Sequence, residues 1–295
     1  DNKSRLYGQV NPAFTVTYSG FVNGEDASIV TGTLIGSTTA DTNSPVGSYS
    51  ISVSGQSAPN YTITYLDGTL SVLPTALLVQ ADDKSRAYGQ ANPVFTATLS
   101  GFVNGENSTV LGGALVFNTI AGTNSPVGTY PIEVSGLLST NYSITFSNGT
   151  LTVTPFALTV TADNHSRAYG AANPILTGTL TGVQNGDNIT ANYSTTADTN
   201  SPVGSHSIIA TLNDPDSKLV NYSVTTNNGT LTVTQALLSV TADNKSRTYG
   251  AANPTLTGTL IGVVNADNIT ASYSTSADTN SPVGDYSIIA ALNDP

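Results

Sequence analysis

The stretch Gly149-Thr-Leu-Thr-Val-Thr-Pro-Phe-Ala-Leu-Thr-Val-Thr-Ala162 decides how this chain folds. Leu151 and Val153 alternate with Thr150, Thr152 and Thr154, and Leu158, Val160 and Ala162 alternate with Thr159 and Thr161. An apolar residue at every second position, with β-branched threonine between, is the period of a strand with one buried face. Only Pro155 breaks the run, because a proline has no N–H to give a ladder. Leu151 to Thr161 therefore reads as the last strand of one folded unit passing into the first strand of the next. No Gly-Ser linker separates them, which predicts short and fairly stiff joints.

Working outward, the same text returns. Pro74 holds the place of Pro155 one repeat earlier. Tyr-Gly recurs at Tyr7, Tyr88, Tyr169 and Tyr249, in steps of 81, 81 and 80 residues. Ser-Pro-Val-Gly recurs from Ser44, Ser125, Ser201 and Ser281, and Gly-Thr-Leu from Gly68, Gly149 and Gly229. Three markers in one period make the chain a tandem repeat. Tyr-Gly to Ser-Pro-Val-Gly spans 37 residues in the first two repeats and 32 in the last two. Ser-Pro-Val-Gly to Gly-Thr-Leu grows from 24 to 28 in the third repeat, through Asn213-Asp214-Pro215-Asp216. Such changes belong in surface loops. The repeats thus pair as 1 with 2 and 3 with 4, with boundaries at 1–74, 75–155, 156–235 and 236–295. Repeat 1 lacks the strand that reads Ala-Leu-Leu-Val in repeat 2, and repeat 4 lacks the Asn-Tyr and Gly-Thr-Leu strands. With no Met present, the reading is of an internal piece of a longer chain.

Further strand faces are Tyr49/Ile51/Val53, Tyr130/Ile132/Val134 and Tyr142/Ile144/Phe146. No helical period appears, apart from room for one turn in Gly182–Asp187. Asn148-Gly149, Asn228-Gly229 and Asp67-Gly68 sit between alternating runs and read as hairpin turns. The Asn-Pro pairs at Asn11, Asn92, Asn173 and Asn253 read as strand starts after each Tyr-Gly turn. Six or seven strands in about 80 residues predict an all-β fold, a tandem array of small Ig-like β-sandwich modules forming an elongated rod. A β-grasp-like module is the alternative. Each unit has a radius of gyration of roughly 12 Å, so four in line make a rod on the order of 150 Å long.

Composition removes several functions. Eight Lys and Arg against 19 Asp and Glu give a net charge of −11, which disfavours a phosphate backbone or an anionic membrane as partner. The absence of Cys excludes disulfides, thiolate metal sites and a cysteine nucleophile. Apolar runs are far shorter than the ~20 residues a membrane span needs, so no membrane insertion is expected in this piece. Hydrophobic residues at 38%, cleanly alternating, separate the chain from disordered sequences.

No residue qualifies as catalytic. His165 fills the slot of Lys3, Lys84 and Lys245, and His206 the slot of Tyr49, Tyr130 and Tyr286, so neither belongs to a shared site. The regular Ser-Arg-x-Tyr-Gly segments place Arg5, Arg86, Arg167 and Arg247 where a buried structural arginine or a carboxylate ligand could serve; the structural reading is preferred. No cofactor is called for except calcium, whose candidate ligands are Asp82, Asp83, Asp163 and Asp243 after the junction strand. The loops carrying Asp41, Asp198 and Asp278 add to that set. Against it, no EF-hand spacing exists and Gly122 replaces the loop Asp in repeat 2. A shared Lys–Asn isopeptide staple is not expected, since His165 interrupts the Lys column and Lys218 is isolated.

The ordered set Asp-Asn-Lys-Ser-Arg-x-Tyr-Gly-x-x-Asn-Pro, Ser-Gly-Phe-Val-Asn-Gly, Pro-Val-Gly-x-Tyr, Asn-Tyr and Gly-Thr-Leu-Thr-Val resembles the MBG domain of YGX type. That resemblance implies extracellular β modules in large bacterial surface or secreted proteins, often adhesin-like, and carries over no catalytic residue. Localisation at the bacterial cell surface or outside the cell follows as an expectation. The expected role is a structural stalk or spacer. A filament or biofilm-matrix subunit and weak glycan- or protein-binding repeats are the alternatives. Expected partners are neighbouring repeats, other copies, or surface glycans and proteins.

Overall fold

A computed structural model describes residues 1–295 as two compact units, Asp1–Thr154 and Pro155–Pro295. Repeat 2, within the first unit, shows the module in full. Its strands are preceded by β1 (Lys3–Leu6), β2 (Thr31–Ser37), β3 (Gly47–Ser57) and β4 (Gly68–Leu73) of repeat 1. Repeat 2 itself comprises β5 (Thr75–Ala81), β6 (Lys84–Ala87), β7 (Ala97–Ser100), β8 (Gly112–Asn118), β9 (Gly128–Leu138), β10 (Tyr142–Ser147) and β11 (Gly149–Thr154). One sheet has the order β10-β5-β7 and the other β6-β11-β9-β8.

The alternation read in the sequence is what joins these sheets. Val79 and Ala81 from the three-stranded sheet meet Ile132, Val134 and Leu151 from the four-stranded one, with Phe95, Leu99 and Phe117 packed around them. Leu151 is fully buried, and truncating it to Ala would cost about 2–5 kcal/mol. Two facing sheets with one shared core make an Ig-like β-sandwich. They exclude the single-sheet β-grasp arrangement.

In the second unit, repeat 3 repeats the plan with β12 (Phe156–Ala162), β13 (His165–Ala168), β14 (Gly178–Thr181), β15 (Thr190–Ser194), β16 (Gly204–Asn213), β17 (Tyr222–Asn227) and β18 (Gly229–Thr234). Its sheets run β14-β12-β17 and β13-β18-β16-β15. Repeat 4 contributes β19 (Ser239–Ala242), β20 (Gly258–Ile261), β21 (Thr270–Thr275) and β22 (Ile288–Asn293). Repeat 1 has only its four-stranded sheet, β1-β4-β3-β2. The counterparts of β7 and β10 in repeat 1 form no ladder.

Two expectations need correction. Asn148-Gly149 is not a hairpin: β10 and β11 lie in different sheets, and each runs parallel to a first-strand segment, β5 or β6. Neither Asn148 nor Gly149 has the positive φ a type I′ turn requires. The chain instead crosses between sheets twice side by side, once at Asp82-Asp83 and once at Asn148-Gly149. A Cβ on Gly149 would lie 2.5 Å from the Ala81 carbonyl oxygen, so glycine is there for close approach of two backbones. Asp83 Oδ1 accepts the Thr150 N–H at 2.7 Å and ties the crossings together; Asn2 and Asn164 do the same for Thr69 and Thr230, both at 2.8 Å. Asn228-Gly229 is such a crossing too, and Asp67-Gly68 is no hairpin either, since no strand precedes β4 there.

The Asn-Pro pairs likewise start no strand, since β7, β14 and β20 begin four or five residues later. Asn92 accepts from Arg86 Nε at 2.7 Å and donates to the Ala121 carbonyl at 2.7 Å. Arg86 also donates to the carbonyls of Ala87 (3.2 Å) and Gly122. Arg5, Arg86 and Arg167 are all buried, and burial lowers the pKa of Arg86 from its usual value. Every repeat makes the same Arg-to-Asn bond at 2.7 Å. The arginine is a pin between loops, which is the structural reading. Gly182–Asp187 forms a tight turn and no helix. The short 3-10 turns fall at Ala27–Ile29, Ser108–Val110 and Leu219–Asn221.

Candidate functional site at the joint between repeats

The true type I′ turns sit at Phe21-Val-Asn-Gly24, Phe102-Val-Asn-Gly105 and the matching Val183-Gln-Asn-Gly186 and Val263-Val-Asn-Ala266. Asn23/Gly24, Asn104/Gly105 and Asn185/Gly186 all have positive φ, and the Glu106 N–H donates back to the Val103 carbonyl at 3.0 Å. This turn aims the acidic residue that follows it. In the first unit Glu106 receives two hydroxyls, from Tyr7 of repeat 1 on Oε1 at 2.7 Å and from Tyr142 of its own repeat on Oε2 at 2.5 Å. The two tyrosine rings meet edge to face, with centroids 5.7 Å apart, and Phe102 stacks in the same way on Tyr142 at 5.5 Å.

Around this carboxylate is a second core, separate from the core of either sandwich. Tyr7 and Val72 from repeat 1 pack with Leu77 and Tyr142 from repeat 2, bordered by Val46, Phe102 and Val103. Backbone and side chains then cross the joint in both directions. Val46 N–H donates to Asn141 Oδ1 at 3.1 Å, Asn104 Nδ2 donates to the Thr42 carbonyl at 3.1 Å, and the Thr75 hydroxyl donates to the Tyr7 carbonyl at 2.5 Å. Gly8 has φ +83°, and a Cβ on it would overlap the Val103 side chain. Glycine is required there twice over, by conformation and by contact.

The electrostatics follow from that packing. The Tyr142 pKa is pushed up to about 12, first by burial and then by its bond to the Glu106 carboxylate. The Tyr7 pKa is raised chiefly by the same carboxylate, with burial second. Both phenols are held as neutral donors.

The second unit builds the joint between repeats 3 and 4 from the same parts. The Tyr169 hydroxyl donates to Asp267 Oδ1 at 3.2 Å, and Asn265 Nδ2 donates to the Thr199 carbonyl at 2.9 Å. A Cβ on Gly170 would come within 2.6 Å of Val264. The acidic residues Glu25, Glu106, Asp187 and Asp267 recur in steps of 81, 81 and 80 residues. That period was the available sign of a shared site, alongside the Asn that precedes each by two positions.

The sequence-derived calcium ligands lie elsewhere and are engaged locally. Asp82 accepts the hydroxyls of Thr96 (2.5 Å) and Thr98 (2.8 Å), and these bonds lower its pKa. Asp83 caps Thr150, Asp163 accepts from Thr177 at 2.7 Å, and Asp243 accepts from Thr257 at 2.5 Å beside Lys245 at 3.6 Å. Asp198 and Asp278 each close an Asx turn on the N–H two residues on, at 3.0 Å, as Asp41 does. No three His, Asp or Glu side chains gather into a group able to hold a metal ion.

The histidines act as stand-ins. His206 Nε2 lies 2.9 Å from the Pro202 carbonyl, the bond that Tyr49 and Tyr130 make to Pro45 and Pro126 at 2.8 Å. His165 Nε2 faces the Thr177 N–H and hydroxyl, both at 3.2 Å. A cavity of about 710 Å³ in repeat 4 is lined by residues that include Lys245, Arg247, Tyr249 and Tyr286. No helix is long and apolar enough to cross a membrane.

Among solved structures, the chain is similar to Drosophila N-cadherin EC1-3, at 9% identity over 79% of this chain and 97% of that one, with a TM-score of 0.23. The I9-I11 tandem from titin gives 13% identity over 80% and 97%, with a TM-score of 0.21. Sidekick-1 immunoglobulin domains 1-4 give 10% identity over 79% and 69%, with a TM-score of 0.22. No curated protein matches the chain. The sequence model of the MBG domain (YGX type) matches residues 1–71, 77–152, 158–232 and 238–294. With Tyr-Gly, Ser-Pro-Val-Gly and Asn-Tyr all spent on one kind of joint, and four matches running nearly end to end, the chain belongs to the MBG domain (YGX type) family.

Proposed function

We propose that these repeats are a structural spacer in a large bacterial cell-surface or secreted, adhesin-like protein, with no enzymatic role. Four modules divided near residues 74, 155 and 235 supply length, and the joints within each unit supply stiffness. The observation that carries the reading is that the recurring motifs of repeats 1 and 2 meet at the joint between them. Tyr7, Gly8, Val46, Asn104, Glu106, Asn141 and Tyr142 hold one module against the next. A chain selected for ligand binding would keep its constant polar residues exposed in each module. Here they are consumed by the neighbour, and each arginine is consumed by its own loops.

Electron microscopy of the native full-length protein tests this. Isolated thin projections ending in a distinct tip support the spacer, whereas ordered polymers would replace it with a filament subunit. Binding of the 295-residue chain to a glycan array would replace it with a recognition role.

A further inference from the structure

Each complete repeat holds two Asn-Gly pairs in opposite environments, and the difference bears on chemistry that needs no enzyme. At Asn104-Gly105 both residues are exposed, no atom lies within 4 Å of where a Gly105 Cβ would be, and the Gly105 N–H makes no backbone hydrogen bond. At Asn148-Gly149 the glycine is buried in the β11 ladder opposite Ile132 and pressed against the Ala81 carbonyl. Gly229, after Asn228, is held likewise against Asp163 and opposite Ile208.

We propose that Asn104 is a site of spontaneous deamidation, and that the reaction unlocks the joint between repeats 1 and 2. The Gly105 amide nitrogen gives up its proton to solvent and attacks the Asn104 side-chain carbonyl carbon. A C–N bond forms to close a five-membered succinimide, and the side-chain nitrogen leaves as ammonia. Water then opens the ring at either carbonyl, giving aspartate or isoaspartate. The net change is one water consumed and one ammonia released, with no oxidant or reductant.

Only an open turn with a free glycine N–H can bend the backbone nitrogen onto that carbon. Asn104 has this, and so do Asn23 and Asn185, whose following Gly24 and Gly186 also have nothing within 4 Å. The buried crossings at Asn148 and Asn228 do not. At Asn265 the next residue is Ala266, whose methyl group crowds the attack.

The consequence differs by site. Asn104 Nδ2 is a donor across the joint to the Thr42 carbonyl. Deamidation replaces it with a carboxylate that can only accept, so attraction becomes repulsion between two oxygens. Asn23 makes no such bond, and its conversion leaves the joints intact. The bond to Thr42 also restrains the Asn104 side chain, which places its rate below that of Asn23.

The test holds the 295-residue chain at mildly alkaline pH and maps aspartate and isoaspartate by peptide mass spectrometry over time. The expected order is Asn23, then Asn104, with both several-fold ahead of Asn148, Asn228 and Asn265. Asn148 keeping pace with Asn104, or Asn104 lagging with Asn265, would overturn the site. The effect on the joint is read separately with N104D and N23D. N104D should melt several degrees lower and N23D with the wild type; coincident melts of all three would overturn the unlocking. Should N104D fail to fold, amide exchange in the aged wild-type chain decides. The Val46 N–H, bonded across the joint to Asn141, should exchange faster in the deamidated fraction, and unchanged exchange there would refute the effect.

Discussion

The joint of the first unit and the joint of the second are the same device built on different acids, Glu106 and Asp267. Both have the tyrosine of Tyr-Gly bonded to an acid in the next repeat, and both have an asparagine bonded back to a Thr carbonyl. The first adds Asn141 and Tyr142, so Glu106 serves two hydroxyls within a closed apolar cluster. In the second, Asp267 stands where the first has Glu106, one methylene shorter, and accepts from Tyr169 at 3.2 Å. The turn and the acid orient both joints, and in the first Asn141 and Tyr142 also seal it.

Removing the seal should have the largest effect. Tyr142→Ala deletes a buried ring with two aromatic neighbours, and should cost the first unit about 3–5 kcal/mol in chemical denaturation while leaving the second unit unchanged. Next is Gly8→Ala, where left-handed strain and overlap with Val103 together cost about 2–4 kcal/mol. Gly24→Ala, with open space around it, should cost only the strain, about 1–2 kcal/mol.

Glu106→Gln turns two charge-assisted bonds into neutral ones and should cost about 1–2 kcal/mol near neutral pH. Alkali probes the same atoms. A phenol of ordinary pKa 10.0 unfolded and about 12 folded stabilises the fold fully below pH 10.0, and that stability is lost as pH rises through about 12. Melts of the first unit should fall across that window, with a shallower fall in Tyr142→Phe.

A smaller gain should come from Ala266→Gly. Ala266 is held at φ +55° where the other turns have glycine, and relief of that strain should stabilise the second unit by about 0.5–1 kcal/mol in thermal melts. Smallest of all is calcium removal. Asp82, Asp163 and Asp243 already serve threonine hydroxyls, so melts with and without chelator should superimpose; a clear downward shift with chelator would establish the calcium sites instead.

The strands were legible because burial on one face writes itself as alternation. Leu158, Val160 and Ala162 are buried as their spacing predicts. The Asn-Gly pairs were not separable by local text. Asn104-Gly105 and Asn148-Gly149 carry the same turn signature, yet one needs positive φ and the other needs the absence of a Cβ, and only tertiary contact distinguishes those demands. Glu106 escaped for a related reason: a lone acid after a turn looks solvated until the neighbouring repeat places Tyr7 over it. The aspartates singled out as ion ligands also accept from threonine hydroxyls or nearby N–H groups, which periodicity cannot reveal.

The double crossing described for β5 to β6 and β10 to β11 has a mechanical consequence. Each complete repeat begins one sheet with a short segment and ends that sheet with a strand parallel to it, as β6 lies along β11 through Lys84↔Leu151 to Ala87↔Thr154. Tension through the two chain ends would pull these parallel neighbours in opposite directions along their length. Their rungs would then be loaded together in shear instead of parting one after another as in a zipper. A repeat built this way resists extension with its ladder as a whole, a property suited to a segment that must hold its length under flow.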